Sequence, residues 1–231
     1  MIQLSKRLKA VADFVTPGKR VADVGTDHGY VPIYLVQSGR TQYALAMDVN
    51  KGPLGHAKDN IIKYKLQNHI ETRLSNGLRE YNKGEAESVV IAGMGGNLMV
   101  QILSEAHDKW KADTELVLSP HSETELVRRY LVENNMTIKD ESMLIDEGKF
   151  YVIMRAVSGR SDYESDVHFR YGKLLLERKD SVLKRYLDRE LSKKNLIEDS
   201  LKKSASETAN DRLRELEEEK KVLSDALSYY E

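Results

Sequence analysis

The chain has 231 residues, 40% of them hydrophobic and 32% charged, with a formal net charge of −1 at pH 7. It can therefore form one large domain, or one domain with an appendage, and its net charge indicates nothing about nucleic acid binding. Cysteine is absent, which excludes disulfides and thiolate metal sites, and the six histidines show no paired metal-ligand spacing, so we expect no bound metal. No apolar run approaches the length of a membrane span and no signal peptide is evident, so we expect a cytoplasmic, soluble protein.

The first predicted elements are a helix and a buried strand. Residues 5–14 have the periodicity of an amphipathic helix. Its apolar face comprises Leu4, Leu8, Val11, Ala12 and Val15. Thr16-Pro17-Gly18 ends this helix, and a buried strand follows at 21–24, before a turn that contains glycine and a second helix that opens near Val31.

The turn after this strand is the most informative segment. It has the sequence Asp23-Val24-Gly25-Thr26-Asp27-His28-Gly29. Such a turn brings backbone N–H groups and a helix N-terminus against a bound nucleotide. Asp27 stands where the dinucleotide fingerprint G-x-G-x-x-G has its second glycine, and a carboxylate repels a diphosphate and attracts a cation. The turn therefore favours S-adenosylmethionine, with its sulfonium and amino group, over NAD.

Three further strands are predicted to end in polar or glycine-rich loops. The strand at 43–48 ends in Asp48, which lies close to the spacing at which an acidic residue meets ribose hydroxyls. Asn50 is the expected cap of a helix over 53–64. The strands at 70–74 and 88–92 lead into Asn76-Gly77-Leu78 and Gly93-Met94-Gly95-Gly96. Parallel strands would bring all these loops to one edge of the sheet, where open α/β sheets bind ligands.

The remaining elements of this region define the fold class. A helix is predicted over 98–106, a strand over 115–118, and a helix over 123–134 with Ser122 as its cap. Strands over 137–145 and 150–157 are joined by Asp146-Glu147-Gly148-Lys149 and must therefore be antiparallel. A mostly parallel sheet closed by an antiparallel hairpin is typical of the α/β, Rossmann-like, seven-stranded sheet of class I methyltransferases.

Residues 158–161 mark a boundary, which divides the chain into a methyltransferase domain at 1–158 and a helical coiled-coil tail at 159–231. A helix is predicted over 166–191, with a seam of Leu176, Leu183, Leu187 and Leu191. The second heptad pattern comprises Ala209, Leu213, Leu216, Leu223, Leu227 and Tyr230, with Lys220 as its one polar seam position. Residues 169–194 are basic and residues from Ser204 onward are acidic, which favours antiparallel pairing, within one chain or between two. Both a monomer and a homodimer remain possible.

The segment Asp23-Val24-Gly25-Thr26-Asp27-His28-Gly29-Tyr30-Val31-Pro32 resembles one family in particular, the bacterial tRNA (adenine-22-N1)-methyltransferases known as TrmK. The loop at 92–96 and the hairpin segment at 147–151 agree, and the resemblance covers essentially the whole chain. It implies transfer of a methyl group from S-adenosylmethionine to N1 of an adenine in the D-loop region of tRNA. The chain departs from the family in having Asn76-Gly77 for Asp-Gly and Ser119-Pro120-His121 for Gln-Pro-Asn.

Position in these loops predicts which residues bind the cofactor. They are Asp23, Gly25, Thr26, Asp27, His28, Gly29, Asp48, Val49, Asn76, Gly77, Leu78, Gly93, Met94 and Gly95. The first two aspartates accept hydrogen bonds from the amino group, and Asp48 accepts them from both ribose hydroxyls. Asn76 pairs with the adenine edge. The alternatives are structural, since Asp48 can cap the next helix and Asn76 can simply turn the chain.

The two predicted catalytic residues are Asp27 and Tyr30. Adenine N1 has an in-plane lone pair, so the main requirement is in-line placement against the methyl group. The product ring is cationic, and we expect Asp27 to stabilise that charge and to accept the N6 proton. Tyr30 would stack on or orient the base, unless it is a half-buried core aromatic; His28 faces the site or packs. Val49 and Leu78 are expected to pack on the purine.

The loop Gly93-Met94-Gly95-Gly96 stands where amino-group methyltransferases carry Asn/Asp-Pro-Pro-aromatic. Because that motif holds an exocyclic amine, its absence fits methylation of a ring nitrogen. The glycines are expected to leave room for the base and to expose N–H groups at the next helix start. Tight packing of helix against strand is the alternative, and both can hold at once.

The predicted partner is tRNA. N1 lies on the Watson–Crick edge, so the base must be unpaired or extruded, and the RNA must be held through its phosphates. The candidate contacts are Lys6, Arg7 and Lys9, together with a basic arm from Arg170 to Lys194 that includes Lys173, Arg178, Lys179, Lys184 and Arg185. A solvated helix face is the alternative for each of them.

Three other functions remain open at this point. The same fold can methylate another RNA, a small molecule or a protein. The chain can be a noncatalytic module that senses cofactor and assembles through its tail. An NAD-linked dehydrogenase is a third class, which Asp27 disfavours.

Overall fold

The structure, a computed structural model, describes residues 1–203 and 207–231. These residues form two compact units, Met1–Asp162 and Tyr163–Glu231. The expectation that residues 1–158 and 159–231 are separate functional domains stays a prediction. Within the described ranges, no helix is both long enough and apolar enough to span a bilayer.

The first unit contains a seven-stranded mixed sheet. Its strands are β1 (Val21–Val24), β2 (Ala44–Asp48), β3 (Ile70–Leu74), β4 (Ser88–Ala92), β5 (Glu115–Ser119), β6 (Met136–Asp146) and β7 (Lys149–Ser158). Their order is β3-β2-β1-β4-β5-β7-β6. The first five strands are parallel, whereas β7 is antiparallel to both β5 and β6. The class I methyltransferase sheet expected from the sequence is thereby confirmed.

Hydrophobic strands and amphipathic helices form the core of this sheet. The helices of the unit are α1 (Lys6–Phe14), α2 (Tyr30–Gln37), α3 (Lys51–Lys63), α4 (Gly96–Glu105) and α5 (Thr124–Glu133). Every residue of β1 and β5 is buried, as expected for central strands covered on both faces. In α1, the Ser5 hydroxyl accepts a hydrogen bond from the Leu8 N–H at 3.2 Å, which fixes the start of the helix.

One predicted helix cap, Ser122, is wrong, and another, Asn50, has the expected position without the expected hydrogen bond. Asn50 does precede α3, but its side chain makes no capping hydrogen bond, and its N–H instead donates to the Asp48 carboxylate at 2.6 Å. Glu123, not Ser122, is the residue that precedes α5, and it has a φ of 48°. The Ser122 hydroxyl donates to the Glu123 carboxylate, which in turn accepts the Gly96 N–H at 3.0 Å, so this pair serves the start of α4.

The second unit is helical and contains α6 (Asp166–Tyr171), α7 (Lys173–Glu177), α8 (Ser181–Lys202) and α9 (Glu207–Ser228). The single helix expected over 166–191 is therefore wrong. Gly172, with a φ of 90°, interrupts it once, and Lys179, with a φ of 50°, interrupts it again. The Asp180 side chain then accepts the N–H groups of Val182 and Leu183, both at 2.9 Å, and starts α8.

Helices α8 and α9 pair within one chain. Leu183 and Leu187 are buried on α8, and Leu216, Leu223 and the unforeseen Ala226 are buried on α9. Ion pairs cross between the helices from Lys194 to Glu219 and from Lys220 to Glu198, so the polar seam position at Lys220 is matched by a carboxylate. The turn of the predicted hairpin, at 204–206, lies outside the described residues.

A buried ion pair links α5 to β6, and removing one partner is expected to lower the free energy of unfolding. Arg128 Nε donates to Glu141 Oε1 at 2.7 Å, and the side chains are 1% and 0% exposed. Arg128→Met takes the guanidinium away from a buried carboxylate, so we expect a loss of about 3–5 kcal/mol. Urea unfolding, followed by fluorescence of the single tryptophan, Trp110, measures this loss.

The matched control for this prediction removes both charges. Arg128→Met/Glu141→Leu leaves no charged carboxylate at position 141, and we expect it to recover most of the lost stability. Equal losses in the single and double variants would show that the pair itself is not what stabilises this junction.

Candidate active site

Backbone hydrogen bonds join the loops that follow β1, β2 and β3. The N–H groups of Gly25 and Thr26 both donate to the Met47 carbonyl at 2.8 Å. The N–H of Ser75, which follows β3, donates to the Asp48 carbonyl at 2.9 Å. Three of the predicted loops therefore form one continuous surface at the carboxyl edge of the sheet.

The loops after β4 and β5 join the same edge. The Gly93 N–H donates to the Ser119 carbonyl at 3.1 Å, and the His121 N–H donates to the Met94 carbonyl at 2.8 Å. Met94 also reaches the first loop, because a Cβ built on Gly25 would lie 2.1 Å from Met94 Cε. Gly25 has a φ of 77°, and this left-handed conformation favours glycine there.

Two buried polar side chains lie in the first loop. Asp23 is 7% exposed, and burial, assisted by the charge of Asp48, raises its pKa to about 6. The Thr26 hydroxyl is buried beside it, and hydrogen bonding between Thr26 and the Asp23 carboxylate opposes this rise in pKa. The two side chains therefore form a buried polar pair where β1 meets the first loop.

The loops after β2 and β3 carry the other residues expected to bind cofactor. Asp48 uses its Oδ1 to accept the Asn50 N–H at 2.6 Å, which orients the side chain. Val49 is 55% exposed and Asn76 is exposed, so both offer surface. Leu78 is 2% exposed and belongs to the core, so it offers almost no surface to a purine.

Asp27, His28 and Tyr30 lie at the surface. The Asp27 side chain is 76% exposed, and its Oδ1 is 3.4 Å from His28 Nε2. The His28 ring stacks on Tyr30, with centroids 5.2 Å apart, and also on His56, with centroids 4.8 Å apart. Sequence reasoning missed His56, because nothing in the pattern of α3 indicates that its ring meets the first loop.

In the glycine loop after β4, Gly93 faces open space and Gly96 permits close packing. Gly93 is exposed. A Cβ on Gly96 would instead lie 2.6 Å from the Glu123 carbonyl oxygen, so this glycine permits close packing. The Gly96 N–H donates to the Ser122 carbonyl and to the Glu123 carboxylate, so the expectation of exposed N–H groups at this helix start is wrong for Gly96.

A second group of side chains surrounds Gly93. A Cβ built there would lie 3.6 Å from Arg7 Nη1 and 3.9 Å from the His121 ring. The Arg7 guanidinium lies 5.3 Å from the Tyr151 ring centroid, and the His121 and Tyr151 centroids are 5.6 Å apart. Burial, with the positive charges of Arg7 and Lys149, lowers the pKa of His121. Sequence reasoning noted Arg7 and the His121 loop separately but did not bring them together.

The other residues expected to contact RNA are partly paired within the protein. Lys9 lies 2.7 Å from Asp13, and in the basic arm Lys184 lies 3.1 Å from Asp188. Lys6 and Arg185 are exposed. Across the described ranges, no three histidine, aspartate or glutamate side chains are grouped as a metal site requires.

Comparison with known proteins identifies the relatives of this chain. A family model described as "Methyltransferase domain" matches residues 4–154. The tRNA (adenine(22)-N(1))-methyltransferase of Bacillus subtilis (strain 168) is 31% identical over 234 residues, which cover 99% of this chain and 98% of that protein. The crystal structure of B. subtilis TrmK, the m1A22 tRNA methyltransferase, superposes with a TM-score of 0.89 over 98% of this chain and 100% of that one, at 31% identity.

Two related structures contain the cofactor or its product. Streptococcus pneumoniae Sp1610, in complex with S-adenosyl-L-methionine, is 31% identical, with a TM-score of 0.86 over 97% of this chain and 100% of that one. M. capricolum TrmK, in complex with S-adenosyl-homocysteine, is 28% identical, with a TM-score of 0.86 over 99% of both chains. This full-length similarity shows that the chain belongs to the bacterial tRNA (adenine(22)-N(1))-methyltransferase family, TrmK.

Proposed function

We propose that this protein transfers the methyl group of S-adenosylmethionine to N1 of adenine 22 of tRNA. The observation that carries the proposal is the match to the B. subtilis enzyme over 99% of this chain, because that match includes the helical tail. The complexes of relatives with S-adenosylmethionine and S-adenosylhomocysteine support the choice of cofactor. A cytoplasmic location follows from a tRNA substrate.

The first loops are proposed to bind the cofactor. Asp23 and Thr26 provide a buried carboxylate and a buried hydroxyl for its amino acid portion. Asp48 takes the ribose hydroxyls, Asn76 takes the adenine edge and the exposed Val49 packs on the purine. Leu78 is left out of this set because its side chain is buried. The acidic character of the loop disfavours a diphosphate and hence NAD.

The remaining proposed cofactor residues act through the backbone or through packing. Gly25 and Gly29 allow the cofactor to approach the backbone closely. Gly77 and Gly95 allow their loops to pack closely against neighbouring side chains. Met94 lies over Gly25 and separates the cofactor loop from Gly93. His28 stacks on neighbouring rings and thereby holds the loop in place.

Asp27 and Tyr30 are proposed to act on the base. When bound, S-adenosylmethionine supplies an electrophilic methyl group. Adenine N1 needs no base to activate it, so the protein has to position the ring and stabilise the positive charge that it acquires. The Asp27 carboxylate supplies that charge stabilisation. Tyr30 is 36% exposed and stacked on His28, which holds its ring ready to orient a base.

The RNA itself is proposed to bind through cations of the first helix, Lys6, Arg7 and Lys9, and through the basic arm from Arg170 to Lys194. A small molecule would be a weaker fit, because it requires no such arm, and the full-length match to the B. subtilis tRNA enzyme favours tRNA over another RNA. A noncatalytic module that only senses cofactor does not require the space at Gly93.

The direct test uses unmodified tRNA and mass spectrometry of nucleosides. We expect the purified protein and S-adenosylmethionine to yield 1-methyladenosine, and reverse transcription to stop at position 22, because the methyl group blocks the Watson–Crick edge. A tRNA with guanine at position 22 is the control and should stay unmethylated. Formation of N6-methyladenosine, or the same yield from the control tRNA, would refute the assignment.

The raised pKa of Asp23 predicts how cofactor affinity depends on pH. The deprotonated carboxylate attracts the charged amino group, and with a pKa of about 6 it loses that negative charge as the pH falls. Protonation competes with binding, so the Kd for S-adenosylhomocysteine should rise about tenfold from pH 7 to pH 5. Calorimetry at both pH values measures this change.

The control for this prediction is Asp23→Asn, whose side chain does not titrate. Its affinity should be lower at pH 7 and nearly constant between the two pH values. If the variant keeps the full pH dependence, another group, such as a histidine, is responsible.

The role of Asp27 predicts a separation of turnover from cofactor binding. Asp27→Asn removes the charge while keeping the shape, and we expect kcat for 1-methyladenosine formation to fall about 10- to 100-fold. The Kd for S-adenosylhomocysteine should change little, because Asp23 remains. Asp59→Asn, a change of an exposed carboxylate on α3, is the control and should leave kcat unaltered. Unchanged turnover in Asp27→Asn would exclude the role.

A further inference from the structure

We propose that Arg7 binds a phosphate that flanks the target adenosine, in a subsite that Gly93, His121 and Tyr151 complete. This inference rests on the proposed function, and it assigns to α1 and the β6–β7 hairpin a part in holding the target nucleotide. The subsite lies on the far side of Met94 from the first cofactor loop.

The position of Arg7 is set by contacts with the hairpin. Its backbone N–H donates to Asp146 Oδ2 at 3.0 Å, which ties the first turn of α1 to the end of β6. Its guanidinium lies over the Tyr151 ring, at 5.3 Å from the centroid. The side chain is therefore held in one place before any substrate arrives.

The held guanidinium faces the open position at Gly93. Arg7 Nη1 and the His121 ring lie 3.6 Å and 3.9 Å from a Cβ built on that glycine. Gly93 follows directly after β4, and its neighbour Met94 packs on Gly25 of the cofactor loop. A nucleotide that enters over Gly93 would therefore have the cofactor loop on one side and the Arg7 guanidinium on the other.

Arg7 Nη1 lacks an acceptor. The atom is buried and has no hydrogen-bond partner in the described part of the chain. A buried donor on a cation is costly to leave unpaired, which indicates that the acceptor comes from a ligand. The neighbouring His121 is exposed at the surface, so its ring can turn aside to admit that acceptor.

The charges favour a phosphate over the base as this acceptor. Arg7 and Lys149 both place positive charge near His121. Methylation makes the adenine ring cationic, so a guanidinium bonded to the ring would oppose the reaction. A phosphate neutralises the guanidinium and removes that opposition. The planar fork of arginine also suits two phosphate oxygens.

The test combines a protein variant with a changed RNA. We compare Arg7→Gln with the wild type on tRNA assembled by ligation, carrying either natural phosphates or a neutral methylphosphonate on the 5′ or 3′ side of adenosine 22. On natural tRNA, kcat/KM of Arg7→Gln should fall about 10- to 100-fold, mostly through a higher KM. One methylphosphonate should lower the wild-type value by a similar factor and leave Arg7→Gln unaffected.

Two variants control for indirect effects. Lys83→Gln removes an exposed cation before β4, at the opposite edge of the sheet, and should behave as the wild type. Arg7→Lys keeps the charge but loses the fork, and should fall between the wild type and Arg7→Gln. All three variants should keep the wild-type Kd for S-adenosylhomocysteine.

The outcomes separate the subsite from the enzyme's overall function. If the losses of kcat/KM from Arg7→Gln and from each methylphosphonate multiply when the two changes are combined, the changes act independently. That result would overturn the phosphate contact. The same comparison is made with 7-deazaadenosine at position 22 instead of a methylphosphonate. If this base lowers the activity of the wild type but not that of Arg7→Gln, Arg7 contacts the base, and the phosphate contact is overturned. Weakened S-adenosylhomocysteine binding in Arg7→Gln would show a structural role instead. If the wild type methylates no tRNA, the proposed function fails together with the subsite.

Discussion

The left-handed backbone of Gly25, against which the end of the Met94 side chain lies, is the constraint on which the site depends. Parallel pairing of β1 with β4 brings the two loops to the same edge, but a side chain at position 25 would meet Met94 Cε at 2.1 Å. With glycine in a left-handed conformation, the cofactor loop and the Gly93 loop touch and are still separated by one thioether side chain. The half of the site proposed to bind the methyl donor therefore lies next to the half proposed to bind the RNA, with Met94 between them.

The two halves carry opposite charges, which match what each would bind. The first half has Asp23 and Asp48, and burial, assisted by the charge of Asp48, raises the pKa of Asp23 to about 6. The second half has Arg7 and Lys149, whose charges lower the pKa of His121. A cationic sulfonium donor suits the acidic half and an RNA phosphate suits the basic half. If the sulfonium bound in the basic half and the phosphate in the acidic half, like charges would lie together.

Local pattern was enough to predict the sheet and its loops. Strand-like segments that end in polar or glycine-containing loops identified all seven strands, and the tight turn showed that the last two are antiparallel. Helix boundaries at Asn50 and Ser122 were harder, because a capping residue can be recruited by a distant group. Glu123 accepts the Gly96 N–H, 27 residues away in sequence, and so the expected serine cap does not form. The break at Gly172 was missed because the leucine seam that indicated the helix begins only at Leu176, after the glycine.

The residues around Gly93, which are proposed to hold the RNA, could not be predicted from local sequence either. The cause is again a contact between residues that are distant in sequence. Arg7 and Asp146 are 139 residues apart, and their hydrogen bond exists because α1 packs against the hairpin that closes the sheet. Glycine after a strand predicts room for a ligand, but which side chains line that room depends on such long-range packing. The nearest sequence signal was Ser119-Pro120-His121, which places a titratable ring in the loop after β5. A ring that is exposed and neutral beside a buried, unpaired guanidinium can be displaced at little electrostatic cost, and this favours entry of an anionic backbone there.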